Sequence, residues 1–328
     1  MLADAFEKAR SCLGHCFWKA QISALRACPP LCGAVSEASL GVYRSRGAWT
    51  KTLFHAVRGA PRIAARHYSN KRRGRIELAR VGVVLTTRCT LRCDKCMAHI
   101  PDLKRREDIP TDDLLRDIRS LLARVDHIYD VFLTGGEAFL HPGLAQIMRL
   151  CAASGKVGRV AVLTNGTILP GAALLAALRE TKTIVKIGNY PRALQPEAEG
   201  LKALLRDGGI SFTHESSAYW RDMGPPGQPQ AGSARRRFGV CPEQLCLPLM
   251  NGRLYLCGKS AIYAEGGFLP PCEDDRIDLR ASDPALFREQ LRALLRRREL
   301  SACACCAGNT YQTPRVPVAA QREPGGRE

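Results

Sequence analysis

The stretch VGVVLTTRCTLRCDKC, residues 81–96, sets a short β-branched run directly before three cysteines, Cys89, Cys93 and Cys96. Val81–Thr86 predicts a strand. Similar apolar runs recur at Val131–Thr134, Val160–Thr164, Thr183–Ile187 and Ile210–Thr213. Between them lie stretches with apolar residues at helical spacing. Thr111–Val125 is one, and its opening Thr-Asp-Asp suits a capped helix with acids in the first turn. Alternating strand and helix predict a parallel sheet covered by helices, either an open doubly wound sheet or a complete or partial barrel. In each case ligands bind at the C-terminal ends of the strands. The three thiols leave the first strand at that end.

With 328 residues, 45% of them hydrophobic, the chain can form one large domain with appendages. It has no run of about 18 uninterrupted apolar residues, and Met1–Arg10 leads into no signal-type segment, so a cytoplasmic protein with no membrane partner is expected. Fifteen cysteines, an odd number with no export signal, point to ligation or redox chemistry and away from disulfides. The formal charge of +18 leaves nucleic acid, a phosphorylated substrate or an acidic electron donor as candidate partners.

The composition divides the chain into five parts. Residues 1–75 form a basic segment, expected to be helical, with Cys12, Cys16, Cys28 and Cys32. The strand and helix alternation fills 76–223, and a Gly/Pro/Gln stretch at 224–235 predicts a linker or lid. A second small unit, 236–310, holds a hairpin signal at Asn251-Gly252 between Leu245–Met250 and Leu254–Leu256, then a helix over Pro284–Leu300 and the group Cys303, Cys305, Cys306. The Pro/Gly/Arg-rich residues 311–328 are expected to be flexible.

Three thiolates can hold three irons of a cubane and leave the fourth open to chelate a cofactor. The spacing of Cys89, Cys93 and Cys96 after a first strand resembles the signature of the radical S-adenosylmethionine (SAM) superfamily. The resemblance runs from Val81 to about Thr213 and implies an α/β fold, a partial (β/α)6 TIM-like barrel. It departs from the family at Lys95, where an aromatic residue often precedes the third cysteine. Leu133-Thr134-Gly135-Gly136-Glu137 resembles the family's glycine-rich turn, which hydrogen-bonds the methionyl amino group, and glycine permits close backbone approach there. Asn165, in Leu163–Thr167, and Asn189, in Lys186–Tyr190, match positions that face the cofactor or substrate in relatives, and Lys186 on the same strand could offset a carboxylate. What the resemblance implies is a 4Fe–4S cluster that reduces bound SAM, releasing a 5′-deoxyadenosyl radical that abstracts hydrogen from substrate. The other reading of these thiols is a zinc knuckle with His99 as fourth ligand.

Cys241, Cys257, Cys303 and Cys306 resemble the ligands of a small C-terminal auxiliary-cluster module of the twitch type, which implies a second 4Fe–4S cluster. Cys246 could replace Cys241, Cys305 could replace a neighbour, and zinc on the same residues has the same spacing. In radical epimerases a spare thiol returns hydrogen to substrate, a part open here to Cys246 or Cys272. This arrangement looks like radical enzymes acting on carbohydrate-like small molecules, epimerases or dehydrogenases, fed by an acidic donor such as flavodoxin or ferredoxin. A maturase of ribosomally made peptides is the second reading. A zinc-bearing nucleic-acid-binding protein is the third, and few aromatics beside the basic residues argue against it.

Overall fold

The computed structural model describes residues 69–323 except 71, 216–218 and 311. Cys12, Cys16, Cys28 and Cys32, with nearly all of the basic segment, lie outside the described residues. From Glu77 the expected alternation unfolds as β1 (Glu77–Thr86), α1 (Thr111–Arg124), β2 (His127–Gly135), α2 (Leu144–Ala153), β3 (Val157–Thr164), α3 (Ala172–Glu180), β4 (Ile184–Gly188), α4 (Ala198–Asp207) and β5 (Phe212–Glu215). These five strands pair in sequence order, all parallel. After them come β6 (Trp220–Arg221), α5 (Ala234–Phe238), β7 (Leu247–Met250), β8 (Arg253–Tyr255), α6 (Gly258–Glu265), β9 (Arg276–Asp278), α7 (Phe287–Arg296) and β10 (Arg315–Val316).

Burial of alternate side chains fixes the sheet's register, because a slip of one residue would turn a whole row to the other face. One such row crosses five strands: Leu249, Val83, Leu133, Val162 and Val185 are neighbours, and none is more than 1% exposed. The helices cover it with Leu114, Ile118 and Leu121 of α1, Ile147 and Met148 of α2, and Leu201 and Leu205 of α4. Pro110, not Thr111, is the N-cap of α1 and makes no side-chain cap bond, while Asp112 and Asp113 sit in the first turn, where the helix dipole favours acids.

The sheet does not stop at β5. β7 pairs in parallel with β1, placing Leu247, Pro248 and Leu249 beside Val81, Gly82 and Val83, so six parallel strands run in the order β5-β4-β3-β2-β1-β7. This is the strand count of the partial (β/α)6 barrel. Asn251 and Gly252, with φ of 50° and 77°, then turn the chain into β8, and β9 completes an eight-stranded sheet. Two consecutive positive-φ residues are the mark of a type I′ hairpin. The second small unit is thus continuous with the barrel sheet. All four β7 residues are buried, as a strand covered on both faces requires.

Residues 312–323, expected to be flexible from their composition, are docked. β10 pairs with β6, Ala319 is fully buried, and Arg322 N and Asp94 N exchange bonds with Arg92 and Ala320 carbonyls at 2.9 and 2.7 Å. Residues 224–235 are also anchored, Gln230 N donating to Ala304 O at 2.8 Å. Among the described residues no helix is long and apolar enough to cross a membrane.

Because Leu249 closes the buried row, Leu249→Ala should lower unfolding stability by about 2–5 kcal/mol in a denaturant titration. A loss under about 1 kcal/mol would show that β7 is not part of the core.

Candidate active site

The cysteine loop hangs from the C-terminal ends of β1 and β2. Gly136 N donates to Thr86 O and Glu137 N to Arg88 O, both at 2.8 Å. The fit is so close that a Cβ on Gly135 would lie 2.2 Å from Thr86 O, and one on Gly136 would lie 2.1 Å from Arg88 O and 3.0 Å from Cys89 Cβ. Gly135 also has a φ of 150°, which side chains rarely tolerate. The glycines therefore make room for the protein's own loop, and two of the turn's amides are spent on it.

Glu137 is fully buried and its carboxylate is committed inside the protein. Oε1 accepts from Phe139 N at 2.9 Å and Oε2 from Asn165 N at 2.7 Å. Burial raises its pKa, and those hydrogen bonds oppose the rise. Glu137 thus ties β2 to the end of β3 and acts on the site through Asn165. The Asn165 side chain reaches the loop: Nδ2 donates to Thr90 Oγ1 at 2.9 Å and approaches Cys89 Sγ at 3.6 Å, while Oδ1 accepts from Thr167 N at 3.0 Å. Gln195, which sequence reading missed, continues the chain of links by donating to Gly188 O at 2.6 Å and to Asn165 O, and by accepting from Tyr190 N at 3.0 Å.

The three sulfurs share one field. Burial raises the thiol pKa of Cys89 and pushes that of Cys93 up to about 11, and each of these thiols also feels Cys96. N–H groups aim at two of them, Leu91 N at Cys89 (3.5 Å) and Gln321 Nε2 at Cys93 (3.2 Å). Donors aimed at sulfur favour the thiolate, the form that binds iron. Tyr190 was also missed. It packs edge-on against Trp220 with ring centres 5.6 Å apart, and its hydroxyl pKa is raised by burial and then by the three cysteines. Asn189, its neighbour, is half-buried at the same strand end. Lys186 lies lower, its ammonium 5.2 Å from the centre of the Phe132 ring and within the field of buried Asp130.

Three thiols held at the end of the first strand, against a Gly-Gly turn at the end of the second, fit a cluster with one open iron. Residues 83–216 match the Radical SAM superfamily model. They are a radical SAM domain. Members of this superfamily use a 4Fe–4S cluster and SAM. Among curated proteins, the chain is similar to GTP 3′,8-cyclases from Chlorobaculum tepidum (30% identical over 95 residues, 27% of this chain) and Streptomyces coelicolor (32% over 111 residues, 34% of this chain). It spans only 26% and 30% of those relatives' lengths. Solved structures with some likeness include native anSMEcpe with bound AdoMet (TM-score 0.47, 12% identity, 67% of this chain and 80% of that one). BtrN in complex with AdoMet and 2-DOIA is another (0.44, 16%, 70% and 93%).

Beyond the radical SAM domain, Cys241, Cys257, Cys303 and Cys306 line one small pocket, which Cys246 and Cys305 do not line. Their thiols interact: Cys257 feels Cys241 and Cys303, and Cys306 is felt by Cys241 and Cys303. Burial pushes Cys303 up to about 11 and raises the other three as well. Among the described residues, no three Cys, His, Asp or Glu side chains converge tightly enough for a single metal ion.

Between the two cysteine groups sits Lys259, only 3% exposed, with its ammonium against His99 Nε2. It feels Cys96 on one side and Cys306 and Cys257 on the other. His99, the candidate zinc ligand, is instead turned to Lys259 and to Asp102, 3.2 Å from its Nδ1. Lys259 also borders a cavity of about 960 Å³ that opens beside Cys96 and is lined by acids and bases, among them Lys95, Asp102, Arg221 and Asp222. The two remaining thiols part company. A Cβ at Gly82 would lie 3.4 Å from Cys246 Sγ, so Cys246 faces β1 at Gly82, level with Phe132 and three residues below Gly135. Cys272 lies apart, in a small pocket with Tyr255, Tyr263 and Ser301.

Since any side chain at Gly136 meets the Arg88 backbone, Gly136→Ala should displace the cysteine loop and lower the iron that the protein takes up while the chain stays folded. Iron analysis after anaerobic reconstitution, beside circular dichroism, checks this; full iron content would show that the turn does not hold the loop.

Proposed function

We propose that this protein is a radical SAM enzyme that abstracts hydrogen from a hydroxyl-bearing carbon of a carbohydrate-like small molecule, and that it acts as an epimerase. The observation that carries the first part is the pinned loop that presents Cys89, Cys93 and Cys96 together at the C-terminal end of β1. Cys89, Cys93 and Cys96 would hold a cluster that, with SAM bound, would supply reductive cleavage to a hydrogen-abstracting radical. The residues of the chain hold and seal that centre. Asn165 and Gln195 fix the ends of β3 and β4 around it, and Tyr190 with Trp220 walls it with aromatic surface. Excluding water and foreign hydrogen donors is what such a wall provides.

The cavity beside Cys96 supports the substrate class. Its acids and bases suit a small molecule bearing hydroxyl or amino groups, which needs several polar partners to fix its orientation. Cys246 supports epimerisation over dehydrogenation, because its thiol is turned to Gly82 of β1, the strand that carries the cysteine loop. Cys241, Cys257, Cys303 and Cys306 are the proposed ligands of a second, fully ligated cluster, and buried Lys259 offsets negative charge on its near side.

Purified without oxygen, the chain should be brown and carry about seven to eight irons. With a reductant it should convert SAM to 5′-deoxyadenosine, and Cys93→Ala should abolish that conversion. Retained cleavage in Cys93→Ala would refute the first site. Cys306→Ala should fall to about four irons and keep cleavage; unchanged iron would refute the second cluster. For the substrate class, amino sugars and cyclitols are assayed beside GTP, the substrate named for the curated relatives, and beside peptides. In D2O an epimerase of this design places one deuterium on the inverted carbon, a label that Cys246→Ala should lose. Consumption of GTP or a peptide in place of the sugars would overturn the substrate class, and a label untouched in Cys246→Ala would overturn the donor.

A further inference from the structure

The residues after β10 return to the cysteine loop. Cys93 and Gln321 pair as an isolated antiparallel bridge, and the amides of Asp94 and Arg322 bond to the carbonyls of Ala320 and Arg92. Ala319, fully buried, packs with Leu91 and Cys93, and the Arg322 guanidinium holds Asp102 at 2.8 Å. These contacts make a strap over the loop, anchored at both edges. Its central side chain is Gln321.

The orientation of that side chain is determined by its partners. Arg92 N can only donate, and it lies 2.8 Å from Oε1, so the amide oxygen must face it. Nε2 is thereby turned to the two acceptors on its side, Ala319 O at 2.7 Å and Cys93 Sγ at 3.2 Å. This contact is shorter than those on Cys89 from Leu91 N (3.5 Å) and Asn165 Nδ2 (3.6 Å). Hydrogen bonds to the sulfurs are among the levers that set an iron–sulfur potential. An N–H dipole directed at sulfur stabilises the extra negative charge of the reduced cluster more than it stabilises the oxidised one, so it raises the potential.

We infer that Gln321 is a positioning residue for the first cluster, fixing the Cys93 sulfur and raising that cluster's reduction potential; this rests on the radical SAM reading of Cys89, Cys93 and Cys96. The strap brings a neutral side-chain donor to Cys93 from 228 residues away. It also forms one wall of the cavity beside Cys96, through Ala320, Gln321 and Arg322, so the donor stands between the sulfur and the cavity.

The test is an anaerobic redox titration of the full-length holoprotein followed by electron paramagnetic resonance. The first cluster is recognised by the change that added SAM makes in its signal, since only an open iron can bind it. Gln321→Met keeps the length and coverage of the side chain and removes the N–H group. It should shift the first cluster's midpoint to a more negative value, leave the second cluster's midpoint in place and leave iron content and melting temperature as in wild type. Gln321→Asn keeps the amide but withdraws it by one methylene, and the same negative shift is expected. An unmoved first midpoint in an iron-replete variant overturns the inference. If Gln321→Met fails to load, Gln321→Asn decides by the same criterion. Wild-type protein that neither binds iron on these thiols nor cleaves SAM would instead sink the radical SAM reading, a result separate from an unmoved potential.

Discussion

The carbonyl oxygens of Thr86 and Arg88 accept the amides of Gly136 and Glu137, and the space between the two backbones admits no side-chain carbon. Everything at the site is referred to that contact. It fixes the exit of β1, and with it the start of the cysteine loop, to the end of β2. From there Glu137 passes the constraint to the end of β3 by accepting the amide of Asn165, and Gln195 passes it from Asn165 to Gly188, the last residue of β4, and to Tyr190 just beyond it. Leaving one of these buried polar groups unpaired would cost about 1–3 kcal/mol, so the rim keeps its geometry as a unit. Four strand ends are joined, the first two by backbone and the others by the buried side chains of Glu137 and Gln195.

A second layer of organisation lies in the polar links between the two cysteine groups. Arg322 holds Asp102, Asp102 holds His99, and His99 meets the ammonium of Lys259, which borders the pocket of Cys241, Cys257, Cys303 and Cys306. Burial keeps His99 from protonating, holding its pKa down to about 4, with Lys259 acting in the same direction. A neutral imidazole can then accept from the ammonium at Nε2 and donate to the carboxylate at Nδ1. Burial works against the charge on Lys259, and the thiols on both sides work in its favour. A cation in that place stabilises negative charge at either cysteine group.

Elements with a pattern were legible in the sequence. The five strand candidates became β1 to β5 with shifts of a few residues, since alternating burial leaves a trace in the order of side chains. The Asn251-Gly252 hairpin was legible because its backbone demands those two residues. β7 was readable only as a hairpin arm. Leu-Pro-Leu-Met is apolar throughout, and nothing local in such a run says that its second edge meets β1. The glycines of the turn were found, but the crowding they relieve comes from the Arg88 and Thr86 backbone, which only the fold brings there. Tyr190, Gln195, Lys259 and Gln321 are single residues without periodicity, and their roles exist only once distant segments meet. Composition misled at residues 312–323, where backbone hydrogen bonds, to which composition is blind, hold the strap.

That strap has a consequence for biogenesis. Gln321 and Cys93 are 228 positions apart, the span of the whole barrel. During synthesis the first strands can form and the cysteine loop can emerge long before its cover exists, because nearby contacts close earlier than remote ones. The contact that covers Cys93 can form only after residues beyond Gln321 have been made and released, so the thiols of the loop meet one another before they meet their cover.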